Sequence, residues 1–292
     1  MAQLLDGKAL SEKLVAEIST KIATKSNELR APHLAAILIG DHAPSKAYVT
    51  NKIKTCEKVG MASSLHSYSS DITEEELLNL IEKLNRDNTV DGILVQLPLP
   101  SHINSKRIIE AILPSKDVDG FHPLNIGNLA KGYDCFVPAT PLGVTMLLDH
   151  YKIKTGGKHC VILGRSAIVG QPLSFLLARN GNPGNCTVTL CHSKTVNITH
   201  YTRQADILIA ALGIPNFVKK EMVKPGAVVI DVGINRVEDL SKKAGYRLTG
   251  DVDFEAVQDI ASWITPVPGG VGPMTIAALI FNTYKAWSER MM

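Results

Sequence analysis

Val161-Ile-Leu-Gly164-Arg165-Ser166-Ala-Ile-Val-Gly170-Gln-Pro172 reads as a buried strand running into a glycine-bearing turn and then a helix. A turn of this kind gathers free backbone N–H groups at a helix N-terminus, where a phosphate binds well. The spacing is close to the G-x-G-x-x-G dinucleotide fingerprint but departs from it. Ser166 stands at the middle glycine, and the last glycine comes one residue late. Taken alone, the stretch also fits a plain strand-to-helix turn.

The next strand, Thr187–Cys191, sharpens the reading. A fold of this type that prefers NAD carries an acid near the end of its second strand, for the ribose 2′-hydroxyl. Here that end reads Leu190-Cys191-His192-Ser193-Lys194-Thr195, with no carboxylate. Arg165 and Ser193 offer a guanidinium and a hydroxyl instead, which suits a 2′-phosphate and favours NADP. Lys194 reads as an ordinary solvated lysine. Residues 206–211 and 227–232 are further strands, and the uninterrupted β-branched character of the second suits a parallel sheet buried on both faces. Asp231-Val-Gly233-Ile234-Asn235 ends the last of them with a glycine that allows a ligand close to the backbone. The run Thr265-Pro-Val-Pro268-Gly269-Gly-Val-Gly272-Pro-Met-Thr275 is a glycine–proline loop, a linker or a ligand loop or both, and feeds a final helix over 275–288.

Working back toward the N-terminus, the same alternation recurs. His33–Ile39 is a strand, 44–60 a helix opened by Pro44, 65–68 a weak strand and 92–97 a buried strand. Leu77, Leu78, Ile81 and Leu84 give 73–84 a helical period, with Thr73 and Glu76 fitting a capping box. A short helix over 106–113 follows. Residues 114–143 are rich in proline and glycine and read as an irregular functional passage between two units, followed by a helix over about 142–151. The fold class is therefore α/β, as two α/β domains with a cleft between them, the C-terminal one a Rossmann-like parallel sheet. The expected division is 1–138 plus 275–292 for a substrate-binding catalytic domain and 139–274 for the dinucleotide domain.

Composition excludes several classes. The 292 residues carry 31 basic and 28 acidic side chains, a net charge of +3, too small to argue for nucleic acid or an anionic membrane. At 45% apolar residues there is ample core, and no apolar run approaches the ~18 residues that span a bilayer. No apolar signal region opens the chain, and Asp6, Glu12 and Glu17 argue against a transit peptide. The five cysteines are odd in number and read as free thiols in a reducing cytoplasm. Cys186, Cys191 and His192 lie along one strand without a second ligand pair, so no metal is expected.

Polar chemistry concentrates in the first half. Tyr48 and Lys52 lie at i, i+4 on the predicted helix and share a face, although such a pair also fits a solvated surface. Gln96 sits at the carboxyl end of a strand, where parallel sheets bind ligands. Asp117 and Asp119 add carboxylates in the irregular loop. A Tyr-x-x-x-Lys pair also marks short-chain dehydrogenases, but there it follows the nucleotide fold, and here it precedes it.

With these segments in this order, the chain resembles the bifunctional methylenetetrahydrofolate dehydrogenase/methenyltetrahydrofolate cyclohydrolase family of FolD type. The segments are 45–52, 95–100, 116–123, 138–143, 164–172, 191–195, 231–235 and 266–275, and they span nearly the whole chain. One departure is Ala139, where the family often has cysteine in a Pro-Cys-Thr-Pro run. The chain also stops at Met292, too early for the large formate–tetrahydrofolate ligase domain of some relatives. The resemblance implies NADP-dependent oxidation of 5,10-methylenetetrahydrofolate to the methenyl cation, and hydrolysis of that cation to 10-formyltetrahydrofolate. It implies that Lys52 serves the hydration step with Gln96 orienting it, that Tyr48 lies against the folate and that Asp119 holds the pterin. Gly164, Arg165, Ser166, Ser193 and Ile234 would bind the cofactor, and Pro268 and Gly269 would join Tyr48 and Asp119 at the substrate. The implied partners are a small-molecule folate and a second copy of the chain in a homodimer, with no nucleic acid and no membrane. A monofunctional NAD(P)-dependent dehydrogenase on the same scaffold is the alternative, and retention of Lys52, Gln96 and Asp119 argues against it.

Overall fold

A computed structural model describes residues 1–25, 28–242 and 245–291. The chain forms two compact units, one of Glu12–Ala139 with Ile276–Met292 and one of Met1–Ser11 with Thr140–Thr275. We call them the N-terminal and C-terminal units after the bulk of each. The chain opens with the short strand β1 (Gln3–Leu4) and the helix α1 (Gly7–Lys25).

In the N-terminal unit follow β2 (His33–Ile39), α2 (Ala43–Lys58), β3 (Ala62–Tyr68), α3 (Glu74–Arg86), β4 (Gly92–Val95) and α4 (Ser105–Ala111). The three strands form a parallel sheet in the order β3-β2-β4. Strand β2 is apolar from Leu34 to Ile39 because it is central and covered, whereas β3 is an edge and carries Ser63, Ser64 and Ser67. The capping box opens α3 as the sequence indicates. The Thr73 hydroxyl accepts from the Glu76 N–H at 3.2 Å, and the Glu76 carboxylate accepts from the Thr73 N–H at 2.9 Å. Leu77, Ile81 and Leu84 of α3 then pack with Ile37, Ile93 and Val95 of the sheet in one apolar cluster.

The loop after α4 is held by a buried lysine. Lys116 Nζ donates to the carbonyls of Leu84, Asn85 and Asp87 at 2.9, 2.9 and 2.7 Å, satisfying orphan acceptors at the end of α3. A cation there also complements the helix dipole. The irregular passage expected over 114–143 contains a helix, α5 (Pro123–Lys131). Pro123 sits in its first turn, the His122 ring caps its N-terminus, and Gly132 ends it in the left-handed region at φ 74°. The prolines and glycines that suggest a loop are here the start and stop signals of a short helix.

The C-terminal unit continues with α6 (Ala139–His150), β5 (His159–Leu163), α7 (Gly170–Ala178), β6 (Thr187–Cys191), α8 (Ile198–Thr202), β7 (Ile207–Ala210), β8 (Val228–Asp231), β9 (Asn235–Glu238), β10 (Tyr246–Thr249), α9 (Phe254–Val257) and β11 (Trp263–Ile264). Helix α10 (Val271–Met291) closes the chain. Six strands make one parallel sheet in the order β1-β11-β8-β7-β5-β6, and β9 and β10 form a separate antiparallel pair. Val161, Leu163, Leu208, Ala210, Val229 and Ile264 form the centre of the apolar cluster under the sheet. Chain order reverses at β5, with β6 on one side and β7 on the other, which is the switch point where open α/β sheets bind ligands.

Helix α6 and strand β3 each start three residues before the positions read from the sequence, and two further boundaries differ. Residues 1–11 belong to the C-terminal unit rather than to a domain of 1–138, because β1 pairs in parallel with β11 at Gln3↔Trp263 and Leu4↔Ile264. Gly7 packs so closely on the loop that a Cβ there would lie 1.9 Å from the Gly270 carbonyl oxygen. The last helix starts at Val271 rather than at 275, because Pro273 lies in its first turn, where no intrahelical N–H is needed.

Candidate functional site

Helix α2 carries the reactive side chains of the N-terminal unit. Its buried face is Ser45, Val49, Lys52 and Cys56, so Lys52 lies on the apolar side of the helix rather than on a solvated one. Lys52 is only 5% exposed. Its Nζ donates to Gln96 Oε1 at 3.3 Å and stands 5.0 Å from the centre of the Tyr48 ring, which is half-buried beside it. Gln96 follows directly on β4, and its own amide nitrogen donates to the Leu97 carbonyl at 2.7 Å, so the oxygen is turned toward the lysine. Burial lowers the Lys52 pKa below that of a solvated lysine, and the charge of nearby Asp119 opposes the shift. Burial likewise pushes the Asp119 carboxyl up to about 6, against the pull of Lys52.

The two loop carboxylates divide their work. Asp117 is 1% exposed and accepts from the His122 N–H at 2.8 Å and from Asn125 Nδ2 at 2.9 Å, so it ties the loop to the start of α5. Asp119 remains partly open to solvent beside Lys52. Gly120 must be glycine, with φ +73° and a Cβ position 2.6 Å from the Pro138 nitrogen. The structure thus gathers Tyr48, Lys52, Gln96 and Asp119, from one helix, one strand end and one loop.

In the C-terminal unit, the turn after β5 is as tight as its sequence suggests. Gly164 has φ +113°, and a Cβ there would lie 2.2 Å from the Ala211 carbonyl oxygen. A Cβ at Gly170 would lie 1.9 Å from the Gly164 oxygen. The Ser166 hydroxyl accepts from the Val169 N–H at 3.2 Å, which closes the turn in place of the middle glycine. Among the described residues, the N–H groups of 165–168 find no protein acceptor. They stand in the turn that leads into α7, where backbone donors could hold a phosphate group. Leu163 pairs with Cys191, and the Gly164 N–H donates to the Cys191 carbonyl at 2.9 Å. Arg165 and Ser193 therefore leave from adjacent strand ends, and both are exposed. Arg165 makes no ion pair among the described residues, which leaves its guanidinium available to a phosphate.

Ile234, Pro268 and Gly269 also meet. They line one cavity of about 90 Å³ together with Asp231, Gly233 and Leu248. Beneath it lies a pair of buried carboxylates of which the sequence reading noticed only Asp231, as the end of a strand. Asp231 accepts from the N–H groups of Gly233, Asp251 and Val252 at 3.0, 2.9 and 2.9 Å. Asp251 is fully buried and accepts from the N–H groups of Leu212, Gly213 and Ile214 and from Asn235 Nδ2. The sequence carries no local signal for the pair, which depends on the close approach at Gly250, where a Cβ would lie 1.8 Å from Asp231 Oδ2.

Comparison with known proteins places this geometry. Residues 5–119 match the catalytic domain of tetrahydrofolate dehydrogenase/cyclohydrolase, and residues 138–291 match its NAD(P)-binding domain. A bifunctional protein FolD from Porphyromonas gingivalis is 56% identical over 289 residues, covering 97% of this chain and 96% of its own. The crystal structure of the bifunctional FolD dehydrogenase/cyclohydrolase of Campylobacter jejuni superposes with a TM-score of 0.94 at 49% identity, over 99% of this chain and 100% of that one. The FolD enzyme of Trypanosoma brucei, solved with NADP cofactor and an inhibitor, gives a TM-score of 0.94 at 36% identity, covering 99% and 98%.

Proposed function

This chain belongs to the tetrahydrofolate dehydrogenase/cyclohydrolase family, and we propose that it carries out both reactions at the residues described above. It oxidises 5,10-methylenetetrahydrofolate to the 5,10-methenyl cation and hydrolyses that cation to 10-formyltetrahydrofolate. The cofactor is NADP, which supplies the hydride acceptor. The glycine-bounded cradle at 164–170 would hold its pyrophosphate, Arg165 and Ser193 its 2′-phosphate, and Ile234 its neighbouring portion.

The observation that carries the hydrolytic reading is the buried lysine amine turned to Gln96 and Tyr48. A lysine with a lowered pKa has a larger neutral fraction near neutral pH and can accept a proton. As water bonds to the one-carbon centre of the cation, Lys52 takes its proton. The C–N5 bond then breaks, N5 gains a proton, and the hydroxyl proton leaves as the formyl group forms on N10, so the overall step releases one proton. Gln96 positions the amine, and Tyr48 packs against the folate. The Asp119 carboxylate accepts hydrogen bonds from the pterin amino and amide edge, and Pro268 and Gly269 supply further substrate contacts. The oxidation asks for alignment of donor and acceptor rather than acid–base help. The test is a pair of assays, NADP+- and NAD+-dependent oxidation of methylenetetrahydrofolate and hydrolysis of methenyltetrahydrofolate without cofactor. Oxidation without hydrolysis would establish the monofunctional alternative.

The coupling of Lys52 and Asp119 has a pH signature. The rate rises with pH as Lys52 loses its proton, and the Asp119 charge holds the Lys52 pKa up. Asp119→Asn removes that charge, so the rising limb of kcat/KM for hydrolysis moves to lower pH, while weaker pterin binding lowers both activities. In the wild type, folate binding weakens as pH falls through about 6, where Asp119 becomes neutral. A limb that stays in place or moves upward in the variant would remove Asp119 from the lysine's surroundings.

We place the enzyme in the cytoplasm as a homodimer supplying one-carbon units for purine biosynthesis. The family resemblance supports this, and no helix among the described residues is long and apolar enough to cross a membrane. Sedimentation of the purified chain tests the dimer.

A further inference from the structure

Three loops leave the carboxyl edge of the C-terminal sheet beside the phosphate turn, and one buried cluster ties them together. The loop after β7 is held by Asp251, which receives the N–H groups of Leu212, Gly213 and Ile214 at 2.6, 2.9 and 2.9 Å. The loop after β8 is held at both flanks of Ile234. The Gly233 N–H goes to Asp231 at 3.0 Å, and the Asn235 side chain goes to Asp251 at 2.9 Å. The loop after β11 is joined through Thr265, whose hydroxyl accepts from the Asp231 N–H at 2.7 Å. The two carboxylates are themselves linked, because the Asp251 N–H donates to Asp231 at 2.9 Å.

The packing leaves no slack. A Cβ at Gly233 would lie 2.2 Å from Asp251 Oδ1, and the residue before Leu212, Ala211, abuts Gly164 of the phosphate turn. Neither carboxylate is needed for proton transfer in the reactions proposed above, and although Asp231 ends β8 and pairs with Ala210, that pairing is made by backbone and not by its carboxylate. A fully buried carboxylate that accepts three successive backbone N–H groups fixes the path of those residues closely.

We infer that Asp251 is a positioning residue for the dehydrogenase reaction, holding the loops at 212–214 and 233–235, the second of which carries the proposed cofactor contact Ile234, in the arrangement that hydride transfer to the cofactor requires. The inference rests on the cofactor placement proposed above. Hydride transfer is sensitive to misplacement of the reacting atoms by about 1 Å, whereas hydrolysis of the methenyl cation depends on Lys52 and does not use the cofactor.

The test therefore compares the two activities in one protein. Asp251→Asn places an amide among backbone donors, and Asn235→Ala removes a single donor and leaves the backbone contacts intact. For Asp251→Asn, dehydrogenase kcat is expected to fall about tenfold or more, with KM for NADP+ rising less than threefold because the 164–170 turn keeps its own hydrogen bonds. Cofactor-free hydrolysis of methenyltetrahydrofolate stays within twofold of wild type. Asn235→Ala shows the same selectivity at about a third of the size, and decides the matter if Asp251→Asn fails to fold by circular dichroism. An equal drop in both activities, a drop confined to KM, or no drop in a folded variant would overturn the positioning role. Absence of both activities from the wild-type chain would instead overturn the functional reading beneath it.

Discussion

Lys52→Met is expected to abolish hydrolysis of methenyltetrahydrofolate while folate binding survives. Methionine fills most of the volume of the lysine stem, so the buried face of α2, formed with Ser45, Val49 and Cys56, stays packed. What disappears is the amine that donates to Gln96 and that we propose accepts the proton of the attacking water. General base assistance contributes roughly 10²- to 10⁴-fold, and a loss in that range is expected in kcat. The dehydrogenase reaction should fall much less, because it needs no base. A fluorescence titration with a folate ligand verifies binding, and the two assays verify the split. Hydrolysis near the wild-type rate in the variant would remove Lys52 from the mechanism.

Arg165→Ala should erode NADP+ binding far more than NAD+ binding. The wild-type turn presents an exposed guanidinium with no ion pair among the described residues, next to Ser193 on the neighbouring strand end. No carboxylate lies in the 191–195 segment to repel a 2′-phosphate or to receive a ribose hydroxyl. A charge-assisted hydrogen bond is worth about 1.5–3 kcal/mol, or about ten- to a hundredfold in affinity. A guanidinium that makes one or two of them should account for about a hundredfold in kcat/KM with NADP+. With NAD+, which has no phosphate at that position, the change should be a few-fold at most. Equal catalytic efficiency with the two cofactors in the wild type, or equal losses in the variant, would overturn the assignment.

Much of the nucleotide end was legible because its determinants are local. The strand before Gly164, the glycines that allow a tight turn and the missing acid after β6 lie within about thirty residues of one another, and each follows from backbone sterics or charge. The α3 cap was legible for the same reason, since a threonine and a glutamate three residues apart satisfy each other's backbone groups. Helix α5 was harder to read. The residues that mark its ends, Pro123 in the first turn and Gly132 at the C-cap, are the same residue types that punctuate loops, and only hydrogen bonding distinguishes the two uses.

By itself the sequence determined the α/β alternation, the tight glycine turn after β5, the absence of an acid after β6 and the set of polar residues that carries the family resemblance. Only the tertiary structure decided that Lys52 lies on the buried side of its helix, since i, i+4 spacing puts Tyr48 and Lys52 on one face without saying which way that face turns. Burial then lowers the pKa of the amine, and no local pattern encodes burial. The structure alone also decided that Gln3 and Leu4 pair with β11, about 260 positions away, and that Asp251 reaches back across the chain to the loop after β7. Strand edges and buried carboxylates take their partners from whatever the fold brings near. Their energetics come from desolvation and satisfied N–H groups, quantities that exist only once the chain has folded.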